Sequence, residues 1–285
     1  MLRLVAALVA AAAPALAQGP PRTPDLTAPR PIEARDSVWI EELTWMEVRD
    51  AIRAGKTLAI VPTGGMEQNG PYVATGKHNY VLQATAEAIA RRLGNALVAP
   101  IVKFVPEGRI EPPSGHMRYP GTISLTDATF VALLTDIVTS LKQHGFRDIV
   151  LIGDSGGNLG GMQKVADALT AKWADTGPRV HHVREYYETD MWSFDYLKEI
   201  GIRQVPDVRS ATRAGIHDDY HYESIIMTVD PAHVRVKERQ ARNLFSINGV
   251  DMNPPGKAIE NGKKLVEYRA RITVEAIGKA VGGRQ

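Results

Sequence analysis

Two side chains with complementary chemistry, the carboxylate of Glu67 and the imidazole of His78, bracket a stretch bent by Gly and Pro. It reads Gly64-Gly65-Met66-Glu67-Gln68-Asn69-Gly70-Pro71 and closes at Thr75-Gly76-Lys77-His78-Asn79. The first is an oxygen ligand or base, the second a nitrogen ligand or base. A second polar turn, Gly153-Asp154-Ser155-Gly156-Gly157-Asn158, offers Asp154 as a ligand or as the orienter of one. Its glycines let a ligand approach the backbone, and Asn158 suits the cap of a following helix. A phosphate cradle is the competing reading of such a turn. Neither a P-loop Lys-Ser/Thr pair nor a G-x-G-x-x-G spacing accompanies it, which argues against nucleotide binding.

The third cluster is His217-Asp218-Asp219-Tyr220-His221-Tyr222-Glu223. A solvated loop whose His and Asp cap turns would be the bland explanation, but two tyrosines beside two histidines favour a site. On a helix His217 and His221 would share a face. No Glu follows the first His, so the metalloprotease signature is missing. Together Glu67, His78, Asp154, His217 and Glu223 make a mixed nitrogen and oxygen set that suits Zn, Mn or a similar divalent ion. An ion so held would make hydroxide available near neutral pH. His116, within the irregular stretch Glu107–Pro120, either lines the same pocket or is solvated. Trp192 is the tryptophan best placed to meet substrate, because it precedes the third cluster.

The elements that must position these groups alternate. The pattern predicts a capped helix from Thr44 to Ala54, with Thr44 and Glu47 as a capping box, and a strand over Thr57–Val61. A helix follows over Asn79–Leu93, then a strand over Leu97–Ile101 and a possible short one at Thr122–Leu125. Next come a helix over Asp127–His144, a strand over Asp148–Ile152, a helix to Ala174 and a strand over Arg179–Val183. Beyond Glu185 the pattern loosens until Ser224–Val229, and Lys257–Val281 reads as one long helix. Strand and helix in alternation imply parallel βαβ units in a three-layer α/β/α fold with a mostly parallel central sheet. In such sheets ligands sit beyond the carboxyl ends of the strands, where the first two polar loops lie.

Residues 1–17 pair Arg3 with the apolar run Leu4–Ala13 and the small-x-small end Ala15-Leu16-Ala17. That is the plan of a secretory signal peptide, too short to span a bilayer. Cleavage after Ala17 is expected, leaving an arm over 18–37, a single domain over 38–285, and a secreted or periplasmic protein with no membrane attachment. Loss of Arg3 takes the net charge from +2 to +1, far from the clustered basic excess of a nucleic-acid binder. With no cysteine in the chain, disulfides, thiolate metal sites and Cys nucleophiles are excluded.

At these residues the chain resembles the creatininase family of amidohydrolases, from about Trp39 to Val234. The likeness is carried by Gly65-x-Glu67-Gln68-x-Gly70-Pro71, Pro120-Gly121-Thr122-Ile123-Ser124-Leu125, Gly145-Phe146, Gly156-Gly157-Asn158, and His217 with Ser224 and Asp230-Pro231. The resemblance implies a three-layer α/β protein, often hexameric, in which a divalent metal pair hydrolyses amide C–N bonds. Glu67 matches a family ligand and His217 the catalytic His. Asn69 stands where members place a ligand His, His78 where they place a bridging Asp, and Ser155 where they place another His. Glu223 lies one residue from the usual Glu.

An imidazole binds one ion per nitrogen and bridges two poorly, so one ion is expected, on Glu67, His78 and Asp154. His217 and Glu223 would then be catalytic, with Asn69, His116, Ser155, Gly156, Trp192 and His221 around the substrate. The reading is hydrolysis of a small cyclic or linear amide by a homo-oligomer. The alternatives are a non-catalytic relative that binds a small polar ligand, and an isomerase or lyase using Glu67 and His217 without metal.

Overall fold

The computed structural model describes residues 25–205 and 219–282, which fall in two units, Met1–Glu33 and Ala34–Gln285. In the first unit, Thr27 donates through its backbone N and its Oγ1 to Asp25 Oδ1, at 2.8 and 2.7 Å, closing a short turn. The second unit carries the elements that build the site.

Its first helix, α1 (Trp45–Arg53), starts on the capping box read from the sequence. Thr44 accepts from the Glu47 amide while the Glu47 carboxylate accepts from the Thr44 amide. Four strands then form one parallel sheet: β1 (Leu58–Thr63), β2 (Ala96–Val98), β3 (Asp148–Gly153) and β4 (Arg179–His182), in the order β2-β1-β3-β4. Every residue of β1 and β3 is buried, as continuous apolar strands covered on both faces must be. Side chains alternate between the faces. Ala59, Val61, Ile149 and Leu151 pack with Phe130, Leu134, Val138, Met162 and Val165. Leu58, Ile60, Val150 and Ile152 pack with Leu82, Ala86, Ile89, Ala270 and Ile277. The first set lies under α3 (Asp127–Gln143) and α4 (Leu159–Lys172), the second under α2 (Lys77–Leu93) and the last helix. These are the expected three layers.

Strand order makes a crevice. From β1 the chain crosses over α2 to the edge strand β2, then returns past β1 to β3 and continues outward to β4. Helices α2 and α4, which follow the adjacent strands β1 and β3, therefore cover opposite faces, and the loops leaving those strands part from each other. Asn158 ties the two loops together. Its amide donates to Thr63 O, Thr63 Oγ1 and Gly64 O at 3.1, 2.9 and 2.9 Å. The sequence suggested that this side chain caps a helix; α4 does begin beside it, but the side chain makes no cap bond.

Several bounds differ from expectation. Helix α2 starts at Lys77, two residues early, so His78 lies on its first turn rather than in a loop. The Thr122–Leu125 segment makes only isolated bridges, Met66 with Ile123 and Val105 with Ser124. The region that seemed irregular after Glu185 contains α5 (Glu185–Glu199) and α6 (Tyr220–Val229). It continues through α7 (Val236–Ala241) and the β5–β6 hairpin (Ser246–Ile247 with Val250–Asp251) to α8 (Pro255–Gly282). Helices α6 and α8 approach closely at Gly262, where a Cβ would overlap the Ser224 carbonyl oxygen. No helix among the described residues is long and apolar enough to cross a membrane.

Replacing Asn158 by Ala would leave the Thr63 and Gly64 carbonyls without that donor. A loss of about 2 kcal/mol is expected, read as a lower midpoint in urea unfolding with an unchanged slope. A midpoint equal to that of the parent would refute the clamp.

Candidate active site

Glu67 reaches the crevice on a loop that its own polar side chains hold rigid. Asn69 donates its amide to Glu67 O and Ala74 O at 2.9 and 3.2 Å, so its NH₂ serves the backbone rather than an incoming ligand. Its Oδ1 is buried with no hydrogen-bond partner among the described residues. Asn79 donates to Gly65 O and accepts from Gly65 N. On the opposite wall, Gln68 N donates to Thr122 Oγ1 and Ile123 N to Met66 O. The long 107–120 stretch is pinned at its start, where Glu107 N donates to Ser124 Oγ at 2.9 Å. Gly65 faces Glu107 so closely that a Cβ there would overlap Oε1.

Inside this frame the structure brings Glu67, His78 and Asp154 together, all buried. They form a chain, not a cluster around a point. His78 Nδ1 lies 2.7 Å from Asp154 Oδ2 and Nε2 lies 2.9 Å from Glu67 Oε1. Cations complete both ends. Lys77 Nζ is 3.4 Å from Glu67 Oε1. Arg269, from α8, donates to Asp154 Oδ1 at 3.0 Å, and Tyr186 OH donates to the same oxygen at 3.2 Å. The rings of Tyr222 and Tyr186 cushion these cations, Lys77 Nζ standing 4.8 Å from the Tyr222 centroid and the Arg269 guanidinium 5.2 Å from that of Tyr186.

The other Glu67 oxygen, Oε2, faces His116 Nε2 at 3.2 Å, while His116 Nδ1 stands 3.3 Å from Gln68 Nε2. His116 therefore lines the site, with its side chain 23% exposed. Ser155 Oγ donates to Glu107 Oε2 at 3.4 Å. Gly156 passes close to Tyr187, whose hydroxyl a Cβ would meet at 2.8 Å.

Burial and the Lys77 charge push the His78 pKa down, but hydrogen bonds to Asp154 and Glu67 and the Glu67 charge outweigh them and raise it to about 9. Burial, the Glu67 charge and a hydrogen bond with Glu67 push the Glu107 carboxyl up to about 8, against the pull of His78 and Lys77. Glu107 Oε1 is buried with no hydrogen-bond partner among the described residues, so no hydrogen bond there offsets the cost of ionising it beside Glu67.

The remaining expected residues make other contacts or lie outside the described residues. Glu223, on α6, pairs with Arg239 at 2.9 Å, both buried, instead of standing free as a catalytic group. Its Oε1 has no hydrogen-bond partner among the described residues. His221 is buried against the rings of Phe194 and Tyr222. His217 and the side chain of Trp192 lie outside the described residues. Sequence reasoning missed Lys77, Glu107, Tyr186, Tyr222 and Arg269. Lys77 had a signal, because a basic pair opening a helix opposes the helix dipole. Arg269, one basic residue in a long amphipathic helix, had none.

Does the arrangement fit a metal? Among the described residues no three His, Asp or Glu side chains surround a common point where an ion could sit. A ligating imidazole must turn a bare nitrogen lone pair to the ion, and both His78 nitrogens already face carboxylate oxygens. The residues in this arrangement do not fit a resident ion.

Because the His78 pKa in the folded protein exceeds its ordinary 6.5, the bound proton stabilises the fold fully below that pH. The contribution is lost as pH rises through about 9. Glu107 loses its share earlier, between 4.5 and about 8. Urea unfolding should show stability falling across the alkaline range, with His78→Gln flat above about pH 8. Parallel curves for variant and parent would refute the assignment.

Comparison with known proteins bears on the fold. A crystal structure of creatininase superposes with a TM-score of 0.65 at 21% identity, covering 86% of this chain and 98% of that one. A mutant creatininase of Zn–Zn type matches at 0.64 and a Mn form at 0.65, each 21% identical with the same coverage. These likenesses establish the fold, and those neighbours are Zn and Mn proteins. Creatinine amidohydrolase of Pseudomonas putida is 33% identical over 116 residues, 41% of this chain and 44% of that protein. The 3-dehydro-scyllo-inosose hydrolase of Thermotoga maritima is 26% identical over 125 residues, 44% of this chain and 38% of that protein. Each match spans less than half of the curated relative. The sequence model of the family, creatinine amidohydrolase, matches residues 41–277, and with most of its length so matched the chain belongs to the creatininase family of amidohydrolases.

Proposed function

We propose that the protein hydrolyses a C–N bond of a small cyclic or linear amide, and that the Glu67–Glu107 pair carries the proton transfers. The observation behind this reading is the buried Glu107 carboxyl, raised to about 8 by burial and by the nearby Glu67 charge, together with His116 against Glu67 Oε2. Water attacks the carbonyl carbon as the ionised member of the pair takes its proton. The C–N bond then breaks and the protonated member gives a proton to the leaving nitrogen, which releases an acid and an amine. His116 and Ser155 stand where they can orient the carbonyl and the attacking water. No step is routed through a metal.

The second reading is a non-catalytic relative that binds a small polar ligand. It is favoured by the engagement of both His78 nitrogens, which leaves that ring no free role in turnover. The named relatives act on different molecules, creatinine in one case and an inosose in another, so substrate choice belongs to this site's own residues. We further propose export by the leader at 1–17 to the periplasm or beyond, and assembly as a homo-oligomer, a hexamer by family resemblance.

A panel of lactams, cyclic ureas and N-acyl amides, read by amine release, tests the reaction. Turnover should fall about 10²- to 10⁴-fold in Glu107→Gln, with KM little changed. Calorimetric binding of a panel member without turnover by the parent would replace hydrolysis with the second reading. Separately, N-terminal sequencing of protein recovered from periplasm should begin at Gln18; recovery of the uncleaved chain alone would refute export.

A further inference from the structure

We infer that this chain has exchanged its family's metal for cations of its own: Lys77, His78 and Arg269 neutralise Glu67 and Asp154, and the folded protein holds no stoichiometric divalent ion. The inference concerns the site of the proposed reaction but does not depend on it, because it is read from metal content and stability rather than turnover.

Three observations carry it. First, the two carboxylates are already saturated by fixed charge. Lys77, 2% exposed, and Arg269, fully buried, each stand within 3.4 Å of one of them. A dication entering between them would meet two positive groups that have no route to solvent. Second, the imidazole sits as a strut. A carboxylate oxygen accepts and does not donate, so a ring with a carboxylate on each nitrogen uses both as N–H donors and offers no lone pair. Third, the helix supports this role at a cost. Lys77 and His78 occupy the first turn of α2, which contains no acidic residue, where the dipole disfavours positive charge. Buried carboxylates within hydrogen-bonding reach are what hold them there.

The arrangement also assigns a job to the last helix. Arg269 comes from the middle of α8, and its guanidinium lies between the Tyr186 and Tyr222 rings, 5.2 and 5.4 Å from their centroids. It acts as a fixed positive charge on Asp154, the carboxylate at the far end of the chain from the Glu67–Glu107 pair. Arg269 is thus a positioning residue.

The test uses the full-length protein purified without chelator. Elemental analysis should find less than ~0.1 equivalent of Zn, Mn, Fe, Co or Ni per chain, and excess Zn²⁺ or chelator should move Tm by less than about 2 °C. His78→Ala removes the strut and leaves two facing carboxylates, so added Zn²⁺ should raise the Tm of that variant by more than about 2 °C. If His78→Ala does not fold, His78→Ser, which also removes the strut, is to be measured in its place, with the same rise expected. About one equivalent of metal retained by the parent through desalting, or a chelator-induced fall in its Tm, would overturn the inference. So would a variant that shows no response to Zn²⁺. Failure of the amide panel leaves these results untouched, whereas metal in the parent alongside amide turnover would sink this inference alone.

Discussion

The imidazole of His78 is the member on which the rest of the site depends. It joins a carboxylate carried by the loop after β1 to one carried by the turn after β3, through both of its nitrogens at once. Parallel strands place their carboxyl ends side by side, but the following helices diverge to opposite faces of the sheet, so those loops have no intrinsic reason to meet. A two-sided donor between them, together with the Asn158 amide on Thr63 and Gly64 below, closes the crevice floor. Burial makes this junction strong. In a medium that poorly screens charge, uncompensated carboxylates would be far more costly than a satisfied chain of ions.

The same low polarity gives the outer layer its character. Glu67 is the hinge between two environments: Oε1 is held by His78 and Lys77, whereas Oε2 faces His116 toward the exposed side. Nearby, Glu107 keeps its proton to unusually high pH because burial and the Glu67 charge both oppose ionisation. One end of the array is thus locked by fixed cations, while near the other a buried carboxyl stays protonated to about pH 8.

Much of this was legible in the sequence, for identifiable reasons. The strands showed as apolar runs, Glu67 and Asp154 showed because loops after such runs in a parallel sheet face the crevice, and His78 showed as an imidazole closing the first of those loops. Glu223 was visible as an acid in a cluster, yet its partner Arg239 lies a helix away, and no local pattern announces a pairing of that kind. Arg269 was invisible because a buried Arg in a 28-residue helix reads the same as a solvated one. Asn158 had the right composition for a cap, but its amide found three carbonyl and hydroxyl oxygens across the crevice instead. The local signals gave positions; the partners were set by tertiary packing, which one-dimensional spacing does not record.

The placement of Arg269 has a consequence for how the molecule is made. Its bond to Asp154 spans 115 residues of chain, and α8, which carries it, follows all four strands of the parallel sheet. During synthesis the sheet and its crevice are complete long before this guanidinium emerges. Until α8 docks, the nascent domain must keep Asp154 hydrated in an open crevice. Docking of α8 is therefore what covers Asp154 with its counter-charge, and contacts of such long sequence separation form slowly. The counter-charge of Asp154 is thus supplied from a helix far along the chain from the turn that carries the carboxylate.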